Sequence, residues 1–241
     1  MLLSKEEVKH GILPSDPRAR HLLKTLHANI GTRLHVGILG ERRGLGTVLT
    51  TEPRLTFGIR WEPELQEVLP LDVLVGLPRP QSARKVLHDL ASLGARRITF
   101  FKPAKGDPAY ATSTLWSSHE WKELLEKGAE QACSVLIPRV DHAHSLEAAL
   151  ANCTPGGWRI ALDPYEAEGP QEATFAKTSH AILAIGPERG WDKSERELLR
   201  PAGFLFRHLG DRILRVETAC VMGGGLLLAG LGAWRAHRAL V

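Results

Sequence analysis

The chain has 241 residues, 43% of them hydrophobic, and a net charge of +4, enough for one large domain or two smaller ones whose core needs no metal or disulfide. Its three cysteines, Cys133, Cys153 and Cys220, are odd in number and lack C-x-x-C spacing, so they read as buried or incidental thiols of a reducing compartment. The start, MLLSKEEVKHG, carries charges by the fifth residue and has no apolar run, which argues against a secretory leader.

The first 70 residues predict a small, mostly β domain. RLHVGIL (33 to 39), GTVLTTE (46 to 52) and RLTFGIRW (54 to 61) mix β-branched and apolar residues between glycine-containing turns, and only HLLKTLHANI (21 to 30) has helical spacing. Residues 1 to 43 also carry more basic than acidic groups. Arg18, Arg20, Lys24 and Arg33 are candidate contacts to RNA phosphates, with an ordinary solvated face as the alternative. The charged, proline-containing stretch EPELQEVLP (62 to 70) reads as a linker.

From residue 71 the period changes. LDVLVGLP (71 to 78) is a buried strand, SARKVLHDLASLG (82 to 94) an amphipathic helix ending on glycine, and RRITFF (96 to 101) another strand. The alternation continues through a helix around 118 to 132, a short strand at IPRV and a helix around 144 to 152. Strands at 158 to 164 and 180 to 187, a helix from near Asp192, a strand at 203 to 210 and a long C-terminal helix complete it. This order predicts an α/β fold with a mostly parallel sheet and ligand loops at the carboxyl ends of its strands. ALDP, AIGPERG and HLGDRILRVETA each place a small or kinking residue after an apolar run, so three backbone loops are expected to converge on one crevice. Taken alone, the segment between Ile185 and Asp192 reads equally well as a plain strand-to-helix connection.

Other patterns carry less. Thr218 to Trp234 is free of charge, but it falls short of the roughly 20 apolar residues a bilayer requires, and five glycines dilute it, so a buried helix is favoured over an anchor. Asp141-His142-Ala143-His144 gathers acidic and imidazole groups in a strand-to-helix turn. Without a third, distant ligand it reads as a capped helix start, and no metal is expected. Gly44-Leu45-Gly46 follows no strand of a βαβ unit, and no G-x-S-x-G or Walker sequence occurs.

GPERG (186 to 190), followed about 20 residues later by LGDRILRVETA (209 to 219), resembles the paired signature GPEGG and LG-x-RILR-x-ETA of the RsmE-type methyltransferases. These are SPOUT-class enzymes that methylate N3 of a uridine in small-subunit ribosomal RNA. The order of the motifs and the close match of the second make the resemblance specific, and the layout agrees over almost the full length. The resemblance implies a PUA-like, RNA-binding β-barrel over residues 1 to 70 and an α/β knot over 71 to 241, where the chain threads itself and holds S-adenosylmethionine in the knotted loops. It also implies a cytoplasmic homodimer with sites at the subunit interface, which would explain the glycine-rich final helix by placing Gly224 and Leu228 in the contact. The cofactor would lie against Leu162, Ile185, Gly186, Glu188, Gly190, Leu209, Gly210, Ile213, Leu214 and Thr218.

Methyl transfer to a uracil ring nitrogen requires that the imide proton be loosened, that approach to the sulfonium methyl be in line, and that the anionic ring be stabilised. Arg215 is the candidate for the last role and Glu217 for orienting it or the base; the alternative for Arg212 or Arg215 is a structural ion pair within the loop. Departures from the family pattern lie on the substrate side. Arg189 replaces the fourth residue of GPEGG, adding a cation that would face RNA. K-x-x-E-L-G becomes Asp89-Leu90-Ala91-Ser92-Leu93-Gly94, S-E-R becomes Pro103-Ala104-Lys105, E-Q-x-G-R becomes Glu130-Gln131-Ala132-Cys133-Ser134, and Leu-Arg becomes Leu26-His27. Two readings stay open: a methyltransferase acting on 16S ribosomal RNA in the small subunit, or an RNA- or ribosome-binding protein of the same fold with retargeted or weakened turnover.

Overall fold

The computed structural model describes residues 1–63, 65–170 and 178–234; Glu64 of the expected linker lies outside them. The chain divides into two units. One comprises Met1–Glu67 with Ala129–Ile137, the other Val68–Gly128 with the described residues from Pro138 onward.

In the first unit, β1 (Leu2–Leu3), α1 (Lys5–His10) and α2 (Pro17–Arg20) precede a meander of β2 (Arg33–Ile38), β3 (Arg43–Thr50) and β4 (Thr56–Trp61). β1 pairs in parallel with β2 and the rest are antiparallel, giving the order β1-β2-β3-β4. The helix expected over 21 to 30 begins earlier and ends sooner. Asp16 accepts from the Arg18 backbone N–H at 2.8 Å, Pro17 follows at the first helical position, and the chain runs through a π-helical turn at His21–Thr25. His27, at φ 51°, then stops it. Two-residue β1 and six-residue α1 are too short to show a period in sequence. Leu3, Ile12, Leu22, Val36, Val48, Leu55 and Phe57 form this unit's core. Residues 129–137 are tied into it by Gly40 N–H donating to the Val135 carbonyl at 2.7 Å and by Gln66 Oε1, which accepts from Ser134 Oγ at 3.0 Å and Val135 N–H at 2.9 Å. Ser134, a departure from the family pattern, thus has a structural task.

The second unit runs β5 (Leu71–Gly76), α3 (Pro80–Leu93), β6 (Arg97–Phe101), α4 (Thr114–Ser117), α5 (Glu120–Gln131, whose last residues, from Ala129, are counted with the first unit), β7 (Arg139–Ala143), α6 (Leu146–Ala151), β8 (Trp158–Leu162), β9 (Ala181–Ile185), α7 (Lys193–Leu199), β10 (Leu205–Arg207) and α8 (Val216–Gly230). Its six strands are all parallel in the order β10-β8-β9-β5-β6-β7. Helices cover both faces, which is why β5 and β9 read as continuous apolar runs. Leu71, Val73, Val75, Leu183 and Ile185 face α3 and α8, while Leu74, Ile182, Ala184 and Phe206 share a second core with Leu146 of α6 and Leu199 of α7. Asp72, buried within the β5 run, is neutralised by a bidentate Arg96 at 2.8 and 2.7 Å.

Two expectations change at this level. Asp141 lies inside β7, accepting from Arg97 Nε at 2.6 Å and Arg139 Nε at 3.0 Å, and the cap of α6 is Ser145, whose hydroxyl accepts from Ala148 N–H at 3.1 Å. No group of three His, Cys, Asp or Glu among the described residues could hold a metal ion. The second change concerns α8, whose buried residues Val216, Cys220, Gly223, Gly224, Leu227 and Leu228 recur every three or four positions and form one face. A Cβ on Gly223 would stand 2.9 Å from Leu162 Cδ1, and one on Gly224 would stand 2.9 Å from Leu93 Cδ2 and 3.0 Å from Leu71 Cδ2. These glycines admit the unit's own leucines, and Leu228 is fully buried, so Gly224 and Leu228 belong to the core and not to a subunit contact. No helix among the described residues is long and apolar enough to cross a membrane.

Candidate functional site

The carboxyl ends of β5, β8, β9 and β10 open into one cavity of about 640 Å³, within the size range of small-molecule sites. The loop after β9 is its centre. Trp191, buried, donates from Nε1 to the Leu162 carbonyl at 2.8 Å and stacks on Phe101 with ring centroids 5.9 Å apart, so the loop is fixed to the end of β8. A Cβ on Gly76 would stand 2.8 Å from Pro187 Cδ, so glycine there lets the loop close over β5. Asp192 then starts α7 in a capping box with Glu195. Glu195 also accepts from Ala104 N–H at 3.0 Å, and Lys105 Nζ donates to the Trp191 carbonyl at 3.2 Å. The altered Pro103-Ala104-Lys105 segment therefore braces the back of the loop.

The other loops are held as firmly. Glu188 Oε1 accepts from the Arg79 N–H at 3.1 Å, linking the β9 and β5 ends. Asp163, buried after β8, accepts from Arg196 Nε at 2.6 Å and from Tyr165 N–H at 2.9 Å. After β10 the chain turns at Gly210, with φ 100°, where only glycine sits without strain.

Leu162, Ile185, Gly186, Glu188, Gly190, Leu209, Gly210, Ile213 and Leu214 all line this cavity, as do Arg189, Arg215 and Glu217. Thr218 does not: one residue beyond Glu217 on α8, it points outward and is exposed. Arg20, Lys24 and Arg33 lie exposed in the first unit, outside this cavity. Arg18 turns inward, donating from Nη1 to the Leu2 carbonyl at 2.8 Å and from Nε and Nη2 to Asp16 at 3.0 and 2.8 Å, and it pairs with Glu7. Hydrogen bonds to Arg18 hold the Glu7 and Asp16 carboxyls below their ordinary range. Its fork is consumed within the unit, which corrects the reading of Arg18 as an RNA contact. Sequence reasoning missed Arg79, Ser82, Asp163, Tyr165 and Trp191, which also line the cavity. Asp163 lies within ALDP, Tyr165 follows it and Trp191 follows GPERG, whereas Arg79 and Ser82 adjoin no motif.

Glu217 is the cavity's unusual group. It is 7% exposed, Lys85 of α3 donates to its Oε1 at 3.2 Å, and its buried Oε2 has no hydrogen-bond partner among the described residues. Burial pushes its carboxyl up, but a backbone hydrogen bond, the Lys85 ammonium and the Arg215 charge outweigh it and hold the group below the ordinary glutamate value. An ionised oxygen buried without a donor favours a ligand that brings one. Lys85→Met should therefore raise the Glu217 pKa, while Lys85→Arg keeps it low, read by carboxyl-carbon NMR titration. Since a depressed carboxylate stabilises the fold above its unfolded pKa and loses that contribution as pH falls through the folded value, Lys85→Met should be less stable than the wild type near neutrality and lose less stability on acidification through the carboxylate range. An unchanged titration would mean that the Lys85 ammonium spends its time in solvent.

Comparison with known proteins bears on the same region. The family model described as "RNA methyltransferase domain" matches residues 65–227, which include every residue lining the cavity. The chain belongs to this family. It is 27% identical over 222 residues to ribosomal RNA small subunit methyltransferase E 1 of Borreliella burgdorferi, covering 92% of this chain and 93% of that one. It is 29% identical to ribosomal RNA small subunit methyltransferase E of Treponema pallidum, with 98% and 92% covered. A solved relative of the same name from Neisseria gonorrhoeae, bound to S-adenosyl methionine, shares the fold at a TM-score of 0.70 and 18% identity, over 90% of this chain and 95% of that one.

Proposed function

We propose that this chain is an S-adenosylmethionine-dependent methyltransferase acting on N3 of a uridine in 16S ribosomal RNA, in the cytoplasm. The observation that carries the reading is the meeting of GPERG and LGDRILRVETA in one cavity whose buried Glu217 Oε2 lacks a donor. The cavity fits the cofactor on three counts. Its volume suffices, its walls are backbone and small apolar groups (Leu162, Ile185, Leu209, Leu214), and its unpaired carboxylate suits a ligand bearing ammonium and sulfonium charges. When bound, the cofactor supplies a methyl carbon already activated as an electrophile.

The chain's own residues then have separable tasks. The three loops hold the ligand through Gly186, Gly190 and Gly210 and the apolar floor. Arg215, at the start of α8, is exposed and has no hydrogen-bond or ion-pair partner among the described residues, so its fork is available to the negative charge developing on uracil. Glu217, whose carboxylate interacts with the Arg215 charge, orients that guanidinium. RNA is drawn in by Arg189 at the mouth and by Arg20, Lys24 and Arg33 on the first unit, which we assign as a PUA-like barrel. Nucleoside mass analysis of small-subunit RNA from cells with and without the gene tests the reading: 3-methyluridine should vanish with the gene, and its persistence would refute it.

Two finer features belong to the same proposal. After β10 at one sheet edge the chain returns to α8, which packs on α3 and on β5 and β9 in the middle of the sheet, supporting a threaded, knotted C-terminal segment. For the homodimer, the outer face of α8 is the support: Met222 is 44% exposed, and Trp234 lies over Gly225, whose Cβ would stand 3.7 Å from the indole. The native chain should sediment as a dimer and Met222→Asp as a monomer; a native monomer would remove the assembly from the proposal.

A further inference from the structure

The geometry points to Tyr165 as the stacking platform for the target nucleobase. This rests on the RNA methyltransferase reading above and adds to it the residue that receives the base. Tyr165 is 73% exposed, the highest value among large apolar and aromatic side chains of the described residues. Yet its backbone is fixed. Pro164 restricts the preceding position, and the Tyr165 N–H donates to Asp163 Oδ1 at 2.9 Å, with Asp163 itself buried and held by Arg196 at 2.6 Å. A ring left in water on a rigid anchor loses little conformational freedom when something stacks on it.

Its position selects the partner. A Cβ on Gly190 would stand 4.0 Å from Tyr165 Cε2, so the ring leans on the GPERG turn at the cavity mouth. Of the cavity's other rings, Trp191 is buried against Phe101 with its N–H committed to the Leu162 carbonyl, and His208 is half-buried and accepts from the Gly210 N–H through Nδ1 at 3.1 Å, which leaves Tyr165 as the most open aromatic surface. Ile213, 68% exposed, offers an apolar neighbour on the LGDRILRVETA loop. Arg79, Arg189, Arg212 and Arg215 line the same cavity, and the last three have no hydrogen-bond or ion-pair partner among the described residues. An exposed aromatic that shares a cavity with four guanidinium groups matches a single-stranded polyanion whose unstacked base lies on the ring while its phosphates meet the cations. A base must leave its stack to reach a methyl donor held inside a cavity, so a platform at the mouth is where it would first be caught.

Binding and transfer are measured separately for Tyr165→Ala and Tyr165→Phe. In the presence of S-adenosylhomocysteine, Tyr165→Ala should bind a fluorescent single-stranded oligouridine about 10-fold or more weakly, the scale of losing one stacked base, while Tyr165→Phe stays within about 2-fold. The kcat/KM for small ribosomal subunits should fall in parallel, with cofactor affinity by calorimetry unchanged. Oligouridine affinity unchanged in Tyr165→Ala would overturn the assignment, as would equal losses in both variants, which would point to the hydroxyl. A loss of cofactor affinity would instead make Tyr165 part of the cofactor pocket and overturn it too. Because the oligouridine arm needs no turnover, a catalytically silent wild type would count against the methyltransferase reading and leave the stacking result to be read independently.

Discussion

Arg215→Ala is expected to lower methyl transfer about 100-fold or more while leaving S-adenosylmethionine affinity within about 2-fold, the scale of removing one preorganised electrostatic donor. Arg215 lines the cavity beside Glu217, and its charge helps keep that carboxylate ionised. The cofactor is itself cationic, so a nearby guanidinium contributes nothing to holding it, whereas the anion that develops on uracil gains directly. Lysine at the position should restore only part of the rate, because a point cation cannot present the planar fork. Steady-state transfer rates and calorimetry on the three proteins decide. If cofactor binding and folding fall together while the residual bound fraction reacts normally, Arg215 is a structural group of the loop.

Gly186→Val should weaken S-adenosylmethionine binding about 100-fold, near the upper end of the cost of overpacking a filled site. A Cβ there would already stand 3.2 Å from the Trp191 ring and 3.3 Å from the Gly190 carbonyl carbon, and the two methyls of valine must displace the indole or enter the cavity. Displacing Trp191 breaks its bond to the Leu162 carbonyl and frees the loop that shapes the site. The fold, anchored by the continuous β5 and β9 runs below, should persist with a modest drop in Tm. Gly210→Val acts differently: nothing lies within 4 Å of its Cβ, so the cost comes from φ 100° and not from filled space. Unchanged cofactor affinity in Gly186→Val would dissociate this loop from the binding site.

Much of the second unit was legible because its signals are local. The apolar run AILAI, the Gly-Pro break and the Asp192 and Glu195 capping pair each act within a few residues, and they mark β9, its loop and the start of α7. Nine of the residues singled out on the three loops line the cavity, seven of them from the two motifs, since a loop that follows a buried strand has only one end of the sheet to occupy. Thr218 stands outside the cavity for a geometric reason: a motif written as a string ignores the 100° turn per helical residue that carries it away from Glu217. Arg18 failed because a charge in sequence does not reveal its partners, and Asp16 and Glu7 meet it only once the segment folds. Lys85 and Arg79 were invisible for the same reason, standing on α3 and the β5 loop more than a hundred residues before their partners Glu217 and Glu188. The glycines of α8 announced close packing, but only the fold shows that Leu162, Leu93 and Leu71 of the same unit do the packing.

The most direct test of the account is methyl transfer itself. Purified chain, labelled S-adenosylmethionine and small ribosomal subunits from cells lacking the gene are combined, and the RNA is digested to nucleosides. Label in 3-methyluridine at a single site, appearing about 100-fold or more slowly when Arg215→Ala replaces the wild type, is the result the account predicts. Cofactor bound tightly in the cavity with no label reaching the RNA would contradict it, leaving a binding protein built on a methyltransferase fold.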